Sequence, residues 1–254
     1  MGPALDSWPL AACLVALATL TVAVARWSRQ PIAGAVVRAE ARAVVQLLVV
    51  AVVLAAALQA VWSAVIVGTF MLTVAAVTAA GRVEARHAVG WTALAIAGGA
   101  APVLALAFGT GAVPVSPPSV VSITGIVVGG TMTAVVLAGR RAMAEIERDR
   151  GEVEAAMALG FRRSPAIRML IERNAAESLV PVLDQTRTVG LVSLPGAFIG
   201  VLLGGGSAAD AAAAQLVVLF GLIASETIGV VLTTRLVAAG KVMPRDLASS
   251  LPPD

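Results

Sequence analysis

Long apolar runs separated by short charged intervals set the pattern of this chain. A helix needs about 20 mostly apolar residues to cross the hydrocarbon core of a bilayer. Seven stretches meet that requirement, at approximately 9–26, 43–60, 62–80, 90–109, 119–139, 188–205 and 213–234. The pattern predicts an all-α membrane protein of about seven transmembrane helices, in a single membrane domain covering 1–254. The sixth stretch is the least regular, because Pro195 and several glycines interrupt it. GTGAVPVSPPS (109–119) predicts a stiff turn, with Ser116 or Ser119 as N-cap. GGGSAAD (204–210) predicts a flexible loop, with Asp210 favourable at the following helix start.

Charge fixes how these helices thread. With seven spans, all 18 Lys and Arg fall on one side, and the other side carries only Asp6 and Asp210. Six or eight spans break this partition. The positive-inside rule then places the N-terminus outside and the C-terminus in the cytoplasm. The net charge of +3 therefore reflects membrane topology and not a nucleic-acid partner. Composition agrees: 59% of the residues are hydrophobic and 13% charged, against roughly 25% charged in soluble domains. The single cysteine, Cys13, excludes a disulfide within the chain.

Half of the charge sits in one internal block. Residues 140–187 hold 17 of the 33 charged residues and predict one large cytoplasmic helical hairpin. Ile146, Val153 and Met157 recur at helical spacing, Gly160 suits the residue after a helix end, and Ser164-Pro165 suits an N-cap followed by proline. Ile167, Leu170, Ile171 and Leu179 predict the apolar stripe of a second helix, with Arg168–Glu172 and Arg173–Glu177 as i, i+4 pairs. The hairpin reads either as a solvated connector or as a docking element for a cytoplasmic partner. A turn that presents Phe161 flanked by Arg162 and Arg163 favours docking, since aromatics and arginine are the usual anchors of interfaces.

Glu154, Ala155, Ala156 and Gly160 resemble the E-A-A-x-x-x-G loop of ABC transporter permeases, although Pro181 lies too far downstream for the importer pattern. ITGIVVGGTMTAVVLAGRR (123–141), VEAAMALGFRRSP (153–165) and LDQTRTVGLVSLPGAFIGVLLGG (183–205), in that order, with AVVQLLVVAVVL (43–54), are similar to the FetB-like permeases, family 0014. The resemblance covers roughly residues 40–235. It implies a multi-pass permease subunit of the inner (plasma) membrane, working as a homodimer with a separate cytoplasmic ABC ATPase. It also implies a link to iron export in bacteria and aluminium tolerance in plants. Glu154, Ala155, Gly160, Phe161, Arg162, Arg163, Ser164 and Pro165 would form the ATPase-coupling surface. ATP and magnesium would bind the partner and no cofactor this chain. The residues agree: a P-loop needs G-x-x-x-x-G-K-[ST], and the one Gly-Lys, Gly240-Lys241, is followed by Val242 with Arg235 at the first glycine position.

Inside the membrane, Glu226 is the candidate of most weight. A carboxylate at the bilayer centre costs roughly 2.5–3.5 kcal/mol on insertion scales and marks a functional site by default. It reads as a cation (metal) ligand or proton carrier, or as a carboxyl hydrogen-bonded to a neighbour. Gln46, Thr131 and Met132 are weaker substrate-path candidates. Ser193 and Pro195 mark either a kink or an unwound segment with free backbone oxygens. Gly196, Gly200 and Gly204, like Gly125 and Gly129, form small-residue faces for intramolecular packing or for a dimer. The alternative to an ABC permease is a proton-coupled secondary carrier or channel built on Glu226. No triad or metal motif supports an enzyme.

Overall fold

The computed structural model describes residues 8–29, 31–57 and 60–252. The described residues fall into two compact units divided at residue 60. The first unit holds α1 (Trp8–Trp27) and α2 (Ala33–Ala57), which contact each other. α2 begins ten residues before the predicted second span and carries Arg38, Glu40 and Arg42 on its opening turns. The end of that predicted span, residues 58–59, lies outside the described residues.

The second unit is built on four long helices. These are α3 (Val61–Arg82), α4 (Val89–Gly109), α5 (Pro117–Arg148) and α10 (Ala208–Ala238); α4 and α5 pack against each other and against both α3 and α10. Together with α1 they are the five described helices long and apolar enough to cross a membrane, which matches the all-α membrane class. Ser116 caps α5 by accepting from the Ser119 N–H at 3.4 Å, with Pro117 in the first turn. Ser207 and Asp210 close a reciprocal capping box on α10. At about 1.5 Å per residue, the 32 residues of α5 span about 48 Å, well beyond a hydrocarbon core of about 30 Å.

Five shorter helices complete the unit: α6 (Arg150–Ala158), α7 (Arg163–Ile171), α8 (Val180–Thr188), α9 (Gly196–Leu203) and α11 (Arg245–Ser250). A 3₁₀ segment, Ala175–Leu179, leads into α8. One buried cluster draws together Val83 after α3, Ala88 before α4, Ile146 of α5, Val237 of α10 and the inner faces of α6 and α7. The C-terminal ends of α5 and α10 therefore meet at the same charged end of the bundle. Residues 149–207 must climb back along the bundle, and they do so in pieces.

That climb departs from the predicted sixth span. Residues 188–205 do not form one helix. Gly190 takes φ +80°, Val189 bridges to Ser193, and the helix resumes only at Gly196 after the extended Pro195. Pro195 thus ends an unwound segment and does not kink a continuous helix. The eight residues of α9 cover only about 12 Å. The predicted cytoplasmic loop 140–187 divides likewise. Residues up to Arg148 prolong α5, a hairpin occupies α6 and α7, and residues 175–182 lie on the bundle against Ala134, Val218, Leu222 and Val230.

Glycine packing also differs in register from the predicted faces. Gly129, Gly196 and Gly200 have open space where a Cβ would stand, and Gly125 meets only Met71 at ordinary distance. Gly204 touches its own helix, at Gly200 O. Close approaches between helices occur instead at other glycines, among them Gly99 and Gly229, where α4, α5 and α10 cross around Thr131. A Cβ on Gly99 would stand 2.4 Å from Ser225 O and 2.9 Å from Thr131 Cγ2. Gly99→Ala should therefore destabilise the bundle by about 1–3 kcal/mol, while Gly129→Ala leaves it unchanged. Thermal unfolding of the purified variants in detergent checks this pair.

Candidate functional site

The hairpin of α6 and α7 projects from the charged end. Gly160 takes φ +94°. Its N–H donates to Met157 O at 2.9 Å, and that of Phe161 donates to Ala156 O at 3.2 Å. These are the two bonds of a Schellman cap, which only a residue tolerant of positive φ forms without strain. α7 begins at Arg163, with Arg162 at the cap position, so Ser164 is not the cap and Pro165 falls later in the first turn. Proline is tolerated there because the first-turn N–H groups have no helical partner.

Burial separates the anchored from the presented residues. Val153, Ile167, Leu170 and Ile171 are buried against α5 and α10. Arg163 donates to Ala248 O at 2.8 Å and ties the hairpin to the C-terminal segment. Leu159 is 81% exposed and Phe161 45%. Together with Met169 and Ala155 they border a groove of about 260 Å³ between α6 and α7. The sequence singled out Phe161 at this surface but not Leu159 or Met169, because both fit a buried helical stripe equally well. Glu154 and Arg162 are exposed, and Arg150 donates to Glu154 at 3.1 Å. Arg168 pairs with Glu172 as expected. Arg173 instead pairs with Glu152, and Glu177 with Arg141 of α5. The α-helix ends at Ile171, and the 3₁₀ segment takes Glu177 out of i, i+4 register. At the α5–α6 junction, two hydrogen bonds from Arg148 hold the Asp149 carboxyl below the usual carboxylate range.

A second set of residues lies inside the bundle. Glu226 of α10 is buried, with 8% exposure, and no hydrogen bond or ion pair reaches its carboxylate among the described residues. Gly130 of α5 makes room for it: a Cβ there would stand 2.8 Å from Glu226 Oε1 and 2.5 Å from Leu222 Cδ2. The sequence pattern points to Gly129, one residue away, because only the helix rotation shows which glycine faces α10. Thr131 donates to Val127 O at 2.7 Å and turns its methyl into the Gly99–Gly229 crossing. Met132 packs against the core of α3, α4 and α5. Gln46 is exposed on α2. The structure therefore does not bring Thr131 or Met132 to the carboxylate. Ser193 is exposed on the unwound segment. Among the described residues, two fully buried side-chain polar atoms have no hydrogen-bond partner: Ser178 Oγ on the 3₁₀ segment and Gln215 Oε1 on α10. Among the described residues, no three His, Cys, Asp or Glu side chains cluster as a metal site.

Long apolar helices, a charged hairpin at one end and a broken return segment define a multi-pass, all-α integral membrane protein. Comparison with known sequences narrows this class. The chain belongs to the uncharacterised protein family UPF0014, whose profile matches residues 8–240. It is 33% identical over 234 residues to the UPF0014 membrane protein STAR2 of Oryza sativa subsp. japonica, covering 90% of this chain and 80% of that protein. It is 35% identical over 123 residues to the protein ALUMINUM SENSITIVE 3 of Arabidopsis thaliana, covering 48% of this chain and 45% of the relative. It is 29% identical over 139 residues to the probable iron export permease protein FetB of Escherichia coli (strain K12), covering 55% of this chain and 54% of the relative. No solved structure matches.

Proposed function

We propose that this chain is the membrane-spanning permease subunit of an ABC-type transporter in the plasma membrane, exporting a metal cation such as iron. A separate ATPase would energise it and hold the ATP and magnesium. The observation that carries the reading is the α6–α7 hairpin. It presents Leu159 and Phe161 at a Gly160 turn while its inner face is locked to α5 and α10. A force applied at that turn reaches the two helices that hold Gly130 and Glu226. The similarity to a protein named as an iron export permease supports the choice of cargo. Glu226 is the cation-path residue in this reading.

A second copy of the chain completes the permease. Leu191 and Val192 are 88% and 82% exposed on the unwound segment, and Leu203 is 84% exposed at the end of α9. That segment lies between α8 and α9, both packed on α10. Non-helical backbone at membrane depth is tolerated only under protein or along a water-filled cavity. The open faces of Gly196 and Gly200 suit close helix approach from a partner copy. Gly200→Leu should leave the monomer folded and shift the chain from dimer to monomer, as read by mass photometry in nanodiscs.

The test is co-purification with candidate ABC ATPases from the same genome. A stable complex that is lost on Leu159→Asp supports the permease. Failure of every candidate ATPase to bind favours a secondary carrier or channel working through Glu226.

A further inference from the structure

Two orphaned oxygen groups lie at one level of the bundle. The 3₁₀ segment places Ala175 and Ser178 on the same face, since side chains at i and i+3 eclipse in that helix. Ala175 packs against Ala134, Ala138 and Val230. Ala134 and Val230 lie one turn from Gly130 and Glu226 toward the charged end. Leu179 touches that cluster and also the one formed by Val182, Val218 and Leu222, with Ile126 at its edge. Leu222 and Ile126 lie one turn from Glu226 and Gly130 on the other side. Ser178 therefore faces α5 and α10 at the height of Glu226. It is 1% exposed, and its Oγ has no partner. A buried hydroxyl left unpaired costs about 1–3 kcal/mol, and such a group in a native structure needs an explanation. The Glu226 carboxylate, at the same level, has no hydrogen bond or ion pair among the described residues.

We propose that Ser178 Oγ and the Glu226 carboxylate are two ligands of one hard divalent cation, and that residues 174–179 form a pinned cover over that site. Oxygen donors without sulfur or imidazole suit cations of this class. Asn174 donates to Glu145, and Arg141 pairs with Glu177, so both pins run from the cover to α5. The cover follows directly on α7, so a pull on the hairpin loosens it first. The inference deepens the permease reading and rests on it for the direction of opening.

The probe is Mn²⁺ alone, titrated by electron paramagnetic resonance into the full chain in nanodiscs. The wild type should bind one Mn²⁺ per chain. Glu226→Gln should abolish binding, and Ser178→Ala should weaken it about 10-fold or more. Arg141→Gln, which breaks a pin and leaves the ligands in place, should shorten the time to equilibrium by up to about 5-fold, the effect of losing an exposed ion pair. Absence of Mn²⁺ binding by the wild type, or full affinity in Ser178→Ala, overturns the site. An unchanged rate in Arg141→Gln, with the variant still folded, overturns the cover. These results are independent of ATPase association. If the complex forms but these effects are missing, only this inference fails. If no complex forms, the permease reading fails and the Mn²⁺ titration still decides the site.

Discussion

Glu226→Gln is expected to reduce cation transport in reconstituted vesicles at least about 10-fold, with expression and thermal stability preserved or raised. Glutamine keeps the volume beside Gly130 and removes the charge. A carboxylate within the membrane costs roughly 2.5–3.5 kcal/mol on insertion scales. Here no ion pair or hydrogen bond offsets that cost among the described residues. Nothing in the packing of α5 and α10 needs the charge, so its loss should fall on function and not on folding. The measurement is metal uptake by inside-out vesicles beside an unfolding curve. Transport equal to the wild type would return Glu226 to a structural role. Gly130→Ala should act on the same pathway, because its Cβ would stand 2.8 Å from Glu226 Oε1 and must displace it.

The second large effect is expected at the hairpin turn. Leu159→Asp with Phe161→Asp should weaken ATPase association by about 30-fold or more, since truncating an interface hot spot costs 2 kcal/mol or more. The substitutions sit on exposed positions, so the membrane domain should keep its helical content and melting behaviour. Gly160→Val reaches the same end differently. At φ +94° a β-branched residue is strained, and the Schellman cap that aims Leu159 and Phe161 is lost. Surface plasmon resonance against the purified ATPase, with circular dichroism on the same samples, separates docking from folding. Full affinity in the double variant would leave the hairpin a connector.

Much of this architecture was legible in the sequence, for identifiable reasons. The long helices α3, α4, α5 and α10 follow from uninterrupted apolar runs, whose length a bilayer dictates. The Gly160 turn follows from a glycine at the end of a charged amphipathic helix. The sixth span was misread because hydropathy registers only apolar content. Leu191, Val192 and Leu194 satisfy it, while Gly190 in left-handed conformation and Pro195 stop the helix. The sequence did not separate glycines that pack within the chain from those with an open face, because spacing alone does not say which way a helix face points. Gly129 and Gly130 are neighbours, yet only Gly130 meets α10. Ser178 carried no signal in sequence, since its burial depends on residues 175–182 folding back onto the bundle. The Arg173–Glu177 pair failed because the expected second helix stops at Ile171.

ATP hydrolysis by the complex of this chain with its ATPase, followed in nanodiscs as a divalent cation is added, tests the central claim most directly. The permease account predicts a stable complex whose hydrolysis rises with cation in the wild type, stays at its basal rate in Glu226→Gln, and is lost with the complex in the Leu159→Asp, Phe161→Asp variant. A chain that transports cation in the absence of any ATPase, driven by a proton gradient alone, would contradict it.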